Sequence, residues 1–356
     1  MALASVGISL TGCAQLLDIG GLDYRGSDAS EEVAPGDAEV PDADAEAQAD
    51  SGAIEAAPPC DGPCAPTTLV TTGGLEPTIA TDGKSVFLRA GTEVESCSVG
   101  GCQSPSHVYT TSAATPRLVA ASSSRVYWND GSAVFGCAGA GACGAPTTMM
   151  DLGSLALTGL SASLASSWVV ASGWGSGNLS VLRAAPDGTS EGPVVAQTIG
   201  GGTSGAVVVV PQSSRVYWAE DGAPTIFDCV APPCASPDHN TNALALSPLG
   251  LVATLAQVFF GTTSGLYVAD KDLASAKPFA GSGVIGGVVL QPSSEAVVYF
   301  VEHAGANWTI ESCPTGGASC TPAALHTTTT AVSALAADDA SLVWIEGNAV
   351  MRMVLP

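Results

Sequence analysis

Cysteine is the residue with the most reactive chemistry in this chain, and it is not scattered. Of 11 cysteines, all but Cys13 stand as near neighbours: Cys60/Cys64, Cys97/Cys102, Cys137/Cys143, Cys229/Cys234 and Cys313/Cys320. Close thiols have two common uses: four that converge bind zinc, and two that meet in an oxidising compartment form a disulfide. These pairs fall in separate repeats of the chain, so even, local pairing reads as disulfides, with a zinc knuckle as the alternative. Each bridge closes a loop of only several residues and contributes about 2 kcal/mol on the chain-entropy account. On this reading the bridges staple single units and do not hold the units to one another.

The other residue types offer less. His107, His239, His303 and His326 show no i, i+2 or i, i+4 spacing to a second ligand, and read as surface or turn residues. Gly173-Trp174-Gly175-Ser176-Gly177 and Gly201-Gly202-Thr203-Ser204-Gly205 give neither Gly-x-Ser-x-Gly nor a phosphate loop with lysine, and read as turns. No catalytic residue, cofactor or metal ligand is therefore assigned. Glu76, His239 and Asn242, near expected strand starts, are the polar candidates for a ligand-binding face. Trp174 and Trp308, expected in irregular segments, are the aromatic candidates for exposed contacts. An enzyme built on a ring of repeats would set acids, Asn or His on its inner strands, and those strands read as small and apolar.

The elements that must position these residues repeat. Ser123-Ser124-Arg125-Val126-Tyr127-Trp128 returns as Ser213-Ser214-Arg215-Val216-Tyr217-Trp218, each followed by a turn signal, a short apolar run and a cysteine pair. Related strands stand at Val86-Phe87-Leu88, Trp168-Val169-Val170, Val258-Phe259-Phe260, Val298-Tyr299-Phe300 and Val343-Trp344-Ile345. Steps of roughly 40 to 50 residues match one four-stranded propeller blade. The chain is therefore expected to be all-β, a seven-bladed β-propeller over residues 60–356. An apolar innermost strand precedes each of these strands, placed in the third blade at Ala162-Ser163-Leu164 and in the fifth around Leu249-Gly250-Leu251. The last repeat ends early, and Pro66-Thr67-Thr68-Leu69-Val70 after Cys60 and Cys64 matches Pro146-Thr147-Thr148-Met149-Met150 after Cys137 and Cys143. The N-terminal segment should thus supply the outer strand of the final blade and close the ring. The aromatics at the repeated position, Tyr127, Trp128, Tyr217, Trp218 and Trp344, are expected to pack between blades.

Composition bounds the partners. The 356 residues carry 10 Lys+Arg against 33 Asp+Glu, a net charge of -23, so nucleic acid is excluded as a partner. No apolar stretch approaches the roughly 18 to 20 residues that span a bilayer. Residues 14–59 are rich in Ala, Asp, Glu and Pro, as in Asp42-Ala43-Asp44-Ala45-Glu46, and read as a disordered, extended acidic tether. A calcium loop there would need glycine where Ala47 stands.

Two resemblances add to this reading. Leu10-Thr11-Gly12-Cys13, which ends the short apolar run of residues 1–13, resembles the bacterial lipobox. That implies cleavage before Cys13 and a lipid on its thiol. No Lys or Arg precedes Cys13, a departure that suggests a start codon upstream. The Val-Tyr-Trp strands with Asn129-Asp130-Gly131 or Glu220-Asp221-Gly222 resemble Tyr-Trp-Thr-Asp and NHL-like propeller repeats, in particular the cysteine-containing propeller lipoproteins of myxobacteria. The Thr-Asp of the motif is replaced here by Asn129-Asp130 and Ala219-Glu220. The resemblance implies an exported protein, lipid-anchored in the cell envelope at the outer membrane of a Gram-negative bacterium, that binds or scaffolds a protein or glycan partner. The alternative is an exported propeller enzyme of lyase or lactonase type.

Overall fold

The computed structural model describes residues 65–355, apart from 72, 74, 103, 112–118, 123–124, 131–132, 140, 164–167, 176–177, 186–187, 195–198, 201–206, 210–214, 220–224, 231, 242–247 and 293. Cys13, Cys60, Cys64, the acidic tether and Asn242 lie outside the described residues. Every described element is a β-strand.

After β1 (Thr67–Thr71), blade one consists of β2 (Leu75–Thr81), β3 (Ser85–Ala90), β4 (Glu93–Ser98) and β5 (Ser106–Thr110). Blade two consists of β6 (Val119–Ala121), β7 (Arg125–Asp130), β8 (Ala133–Ala138) and β9 (Thr147–Asp151). Blade three has β10 (Ala156–Ser163), β11 (Trp168–Gly175) and β12 (Asn178–Ala184), and its outer position is shared by β13 (Ser190–Pro193) and β14 (Ile199–Gly200). Blade four has β15 (Val207–Val209), β16 (Val216–Ala219), β17 (Ile226–Cys229) and β18 (His239–Thr241). Blade five has β19 (Gly250–Ala253), β20 (Gln257–Thr262), β21 (Gly265–Asp270) and β22 (Ala276–Ala280). Blade six has β23 (Val284–Leu290), β24 (Val297–Ala304), β25 (Asn307–Pro314) and β26 (Ala323–Thr328). Blade seven is β27 (Val332–Ala337), β28 (Ser341–Glu346) and β29 (Ala349–Val354), with β1 hydrogen-bonded to β29 as its outer strand.

The first strand of each blade touches the first strand of the next, from β2 round to β27 and back to β2. The chain is a closed, seven-bladed β-propeller. The expected closure holds: Thr67 pairs with Arg352 and Thr71 with Ala349, so the blade-seven edge at β29 is covered by the chain's own beginning. In blade three the inner strand starts at Ala156, six positions before the expected Ala162.

The repeated Val-Tyr-Trp string works through the period of two along a strand. Trp218 packs into the seam with blade three, beside Val170 and Leu179, whereas Tyr217 packs into the seam with blade five. In the same way Phe300 faces blade five and Tyr299 faces blade seven. Trp128, Trp218 and Trp344 are wholly buried. The apolar core is thus a set of inter-blade seams, each fed by alternate residues of one strand, and the expectation of blade-to-blade packing for these aromatics holds.

Because every strand pairing is antiparallel, each blade places its first-to-second and third-to-fourth connections on one face of the ring, here the hairpin face. Its second-to-third turn and its link to the next blade lie on the other, the linking face. The four described cysteine pairs, Cys97–Cys102, Cys137–Cys143, Cys229–Cys234 and Cys313–Cys320, are disulfides in third-to-fourth connections on the hairpin face. They do more than staple single blades. The amide of Cys143 donates to the carbonyl of Val108 in blade one (2.8 Å), that of Cys234 to Val194 beyond β13 (2.9 Å), and that of Cys320 to Phe279 in blade five (2.9 Å). In three seams the second cysteine therefore presents its backbone to the outer strand of the preceding blade, which corrects the expectation that the bridges act within blades only. The second cysteine stands at the blade's outer edge, and the carbonyl that its amide takes there belongs to the preceding blade.

Candidate functional site

Blade five has no cysteine pair, and at its seam with blade four a charged cluster occupies the hairpin face. Arg215, just before β16, is buried and donates from Nε to Asp228 Oδ2 (2.7 Å); its Nη2 also bonds that oxygen. Nη1 and Nη2 reach across the seam to Asp272 Oδ1 at 3.2 and 3.1 Å. The guanidinium lies over the Tyr217 ring, 5.0 Å from its centroid, and the Tyr217 hydroxyl donates to the Lys271 carbonyl (2.6 Å). Burial works against the charge on Arg215, but its bonds to Asp228, the Tyr217 and Asp228 charges and the bond to Asp272 together outweigh this and hold its pKa above the ordinary value. The Lys271 ammonium, followed by Arg215, holds exposed Asp272 below the usual carboxylate range. Burial pushes the Tyr217 phenol up.

His239 completes this cluster. Its backbone N–H donates to Asp228 Oδ1 (2.8 Å), and its ring Nδ1 lies 3.0 Å from the same oxygen. The same Nδ1 lies 3.3 Å from Arg215 Nη2, so it stands between a carboxylate that accepts and a guanidinium that donates, on a side chain that is 38% exposed. A carboxylate-oriented imidazole of this kind is a possible general base or metal ligand. Here, however, Asp228 is wholly buried and already neutralised by Arg215, so the geometry serves first to tie blade four to blade five. Nearby, Cys229 Sγ, Cys234 Sγ and an Asp238 carboxylate oxygen lie within 4.8 Å of one another. The two sulfurs are joined in a disulfide, so neither offers a thiolate to a metal.

The other sequence candidates do not gather here. Glu76 is the second residue of β2, at the linking-face end of blade one, whereas His239 opens β18 at the hairpin-face end of blade four. Trp174 and Trp308 are not in irregular segments. Trp174 lies in β11 and Trp308 in β25, both partly buried, and Trp308 stacks on His303 with ring centroids 4.2 Å apart. The histidines are likewise strand residues rather than turn residues: His107 in β5, His239 in β18, His303 in β24 and His326 in β26. His326 Nε2 and the Thr328 hydroxyl bond the Glu346 carboxylate (3.0 and 2.7 Å), tying blade six to blade seven near the linking face, and the Trp344 indole N–H joins them (3.1 Å).

The inner strands are different in kind. Described side chains of β6, β19 and β23 are apolar or glycine and almost all buried, and the Thr78 hydroxyl of β2 accepts the Val119 amide of the next blade (2.9 Å). Sequence reasoning missed Arg215, Asp228 and Asp272 as a group, although the repeated Ser-Arg-Val-Tyr-Trp string contains the arginine.

No protein-family model and no curated protein sequence matches the chain. Among solved structures it is similar to the WD40 β-propeller domain of Doa1, at 12% identity over 81% of this chain and 95% of that one (TM-score 0.59). It is also similar to the WD40 domain of Neurospora crassa Pan2, at 13% identity over 82% and 95% (TM-score 0.59). A third likeness is to virginiamycin B lyase from Staphylococcus aureus, at 10% identity over 82% and 99% (TM-score 0.56). The likeness in each case is one of fold alone.

Proposed function

We propose that this propeller is exported, held in the cell envelope by a lipid on Cys13 at the outer membrane of a Gram-negative bacterium, and acts as a binding or scaffolding module for a protein or glycan partner. One observation carries the reading. The described polar side chains that gather in clusters, Arg215 with Asp228 and Asp272, and Glu346 with His326 and Thr328, sit in blade seams, where they hold the ring together. The inner strands β6, β19 and β23 carry no acid, Asn or His, the residue types that a propeller enzyme sets there, and β2 carries the single acid Glu76. Four disulfides support export, since such bridges persist in oxidising compartments. The Tyr-Trp-containing repeat and the run ending at Cys13 support a surface-held interaction domain. The described residues with exposed large apolar side chains, Val230 and Leu255, both lie on the hairpin face and offer a first place to look for contact.

The test uses the full chain in a Gram-negative host. Cys13→Ser should move the protein from the membrane fraction to the soluble fraction, and photo-cross-linkers at positions 230 and 255 should trap one partner whose yield survives His239→Ala. An unlipidated parent chain that still pellets with the membrane would refute the anchor. Turnover of a lactone that His239→Ala abolishes would replace the binding reading with the lyase or lactonase reading.

A further inference from the structure

The seam between blades five and six holds two carboxyl groups that no function above has used. Glu302 stands opposite Thr309 across β24 and β25, and Glu311 stands opposite Phe300, so the two carboxyls are diagonal neighbours on one side of blade six. That side faces blade five, which presents Phe259, Leu266, Val268 and Phe279 to it. The Glu302 Oε1 accepts the amides of Ser282 (2.9 Å) and Gly283 in the link from β22 to β23. A Cβ at Gly283 would come within 2.8 Å of Glu302 Oε1 and 2.7 Å of the His303 carbonyl, and Gly281 has φ +69, so this link is shaped around the carboxylate. Glu311 Oε2 is buried and meets no donor from another group. The acid diagonal to it on the same side of the sheet is Glu302, and two carboxyls can bond one another only while one of them keeps a proton.

Among the described residues, no cation faces the pair. The basic residue on the blade-five strands, Lys277, lies opposite Val268 toward the hairpin-face end of β22, and the acid Asp270 ends β21 at the same face. On blade six, His303 and His326 pair with Trp308 and Ile310 and so belong to the other side of the sheet.

We propose that Glu302 and Glu311 form a proton-held latch between blades five and six: one carboxyl donates its proton to the other, and loss of that proton drives the pair apart and releases the 281–283 link on the linking face. Burial, then the Glu302 charge, push the Glu311 carboxyl up from its usual 4.5 to about 7. Between those two values the folded chain holds a proton that the unfolded chain has lost. Local stability is therefore highest in mild acid and falls as pH rises through neutrality. The released proton goes to solvent. An envelope protein meets the pH of its surroundings directly, so the latch would couple the shape of one face to external acidity.

Hydrogen exchange of residues 278–290 in the full chain, corrected for intrinsic rates, reads the latch. Protection of the 281–283 amides should fall by about tenfold or more between pH 5.5 and 8.5, whereas Glu311→Gln should keep the mild-acid protection at both values. A parent chain with pH-independent protection, or an equal fall in Glu311→Gln, would overturn the proposal. So would a Glu311→Gln chain that fails to fold, because glutamine is the uncharged counterpart of the protonated state.

Discussion

Breaking one disulfide should loosen a strand in a different blade. In Cys137→Ser/Cys143→Ser the bridge spans a sequence separation of 6, and its loss restores about 2 kcal/mol of loop entropy to the unfolded chain. Once the hairpin frays, the bond from the Cys143 amide to the Val108 carbonyl (2.8 Å) goes with it, at a net cost of about 1 kcal/mol. The total of about 3 kcal/mol corresponds to a fall in Tm of about 6 °C for a domain this large. Urea unfolding of the full oxidised chain gives the global figure, and hydrogen exchange gives the location. Protection should drop not only around residues 137–147 but also in β5, Ser106–Thr110, across the seam in blade one. Loss of protection confined to blade two, with β5 as slow to exchange as in the parent, would refute the view that these hairpins clasp neighbouring blades.

Two further outcomes follow from the same seams. Arg215→Met leaves the wholly buried Asp228 carboxylate without its cation and should cost about 3 to 5 kcal/mol, much of it recovered in Arg215→Met/Asp228→Asn; urea midpoints for the two chains decide this, and a single variant as stable as the parent would contradict it. Removing residues 1–71 uncovers the β29 edge of blade seven and should give concentration-dependent association in size-exclusion chromatography, whereas a monodisperse product would show that the edge needs no cover.

The sequence disclosed the ring because one strand of each blade carries two seams at once. A string such as Val216-Tyr217-Trp218 must be apolar at consecutive positions, and that density stands out against glycine-rich turns. Closure was legible too, since Thr67-Thr68-Leu69-Val70 copies Thr147-Thr148-Met149-Met150 closely enough to name the missing strand. Trp174 misled because it stands between Gly173 and Gly175, which look like turn residues. They are strand residues whose missing side chains make room for the neighbouring segment: a Cβ would meet Leu155 at 3.1 Å from Gly173 and at 2.8 Å from Gly175. The Arg215 cluster was hidden for another reason. Asp272 is 57 positions from Arg215, and nothing in either segment marks the other until two blades are laid side by side. The four described disulfides were read correctly as pairs, but a backbone amide has no letter in the sequence, so their reach to the preceding blade could not be read there.

The closing strand also sets an order of events in time. The Thr67 hydroxyl finds its acceptor at Arg352, 285 positions away, so β1 is the first strand to be made and has to wait for almost the last. Bringing such distant segments together costs about 5 kcal/mol in chain entropy before any bond forms, compared with little for the hairpins of blades one to six. Those blades can assemble on their own strands as each is delivered, and the seventh is complete only when β29 arrives. A ribosome stalled before β29, or a protease that trims β29, would therefore leave six formed blades beside a seventh reduced to β27 and β28, with β1 unpaired.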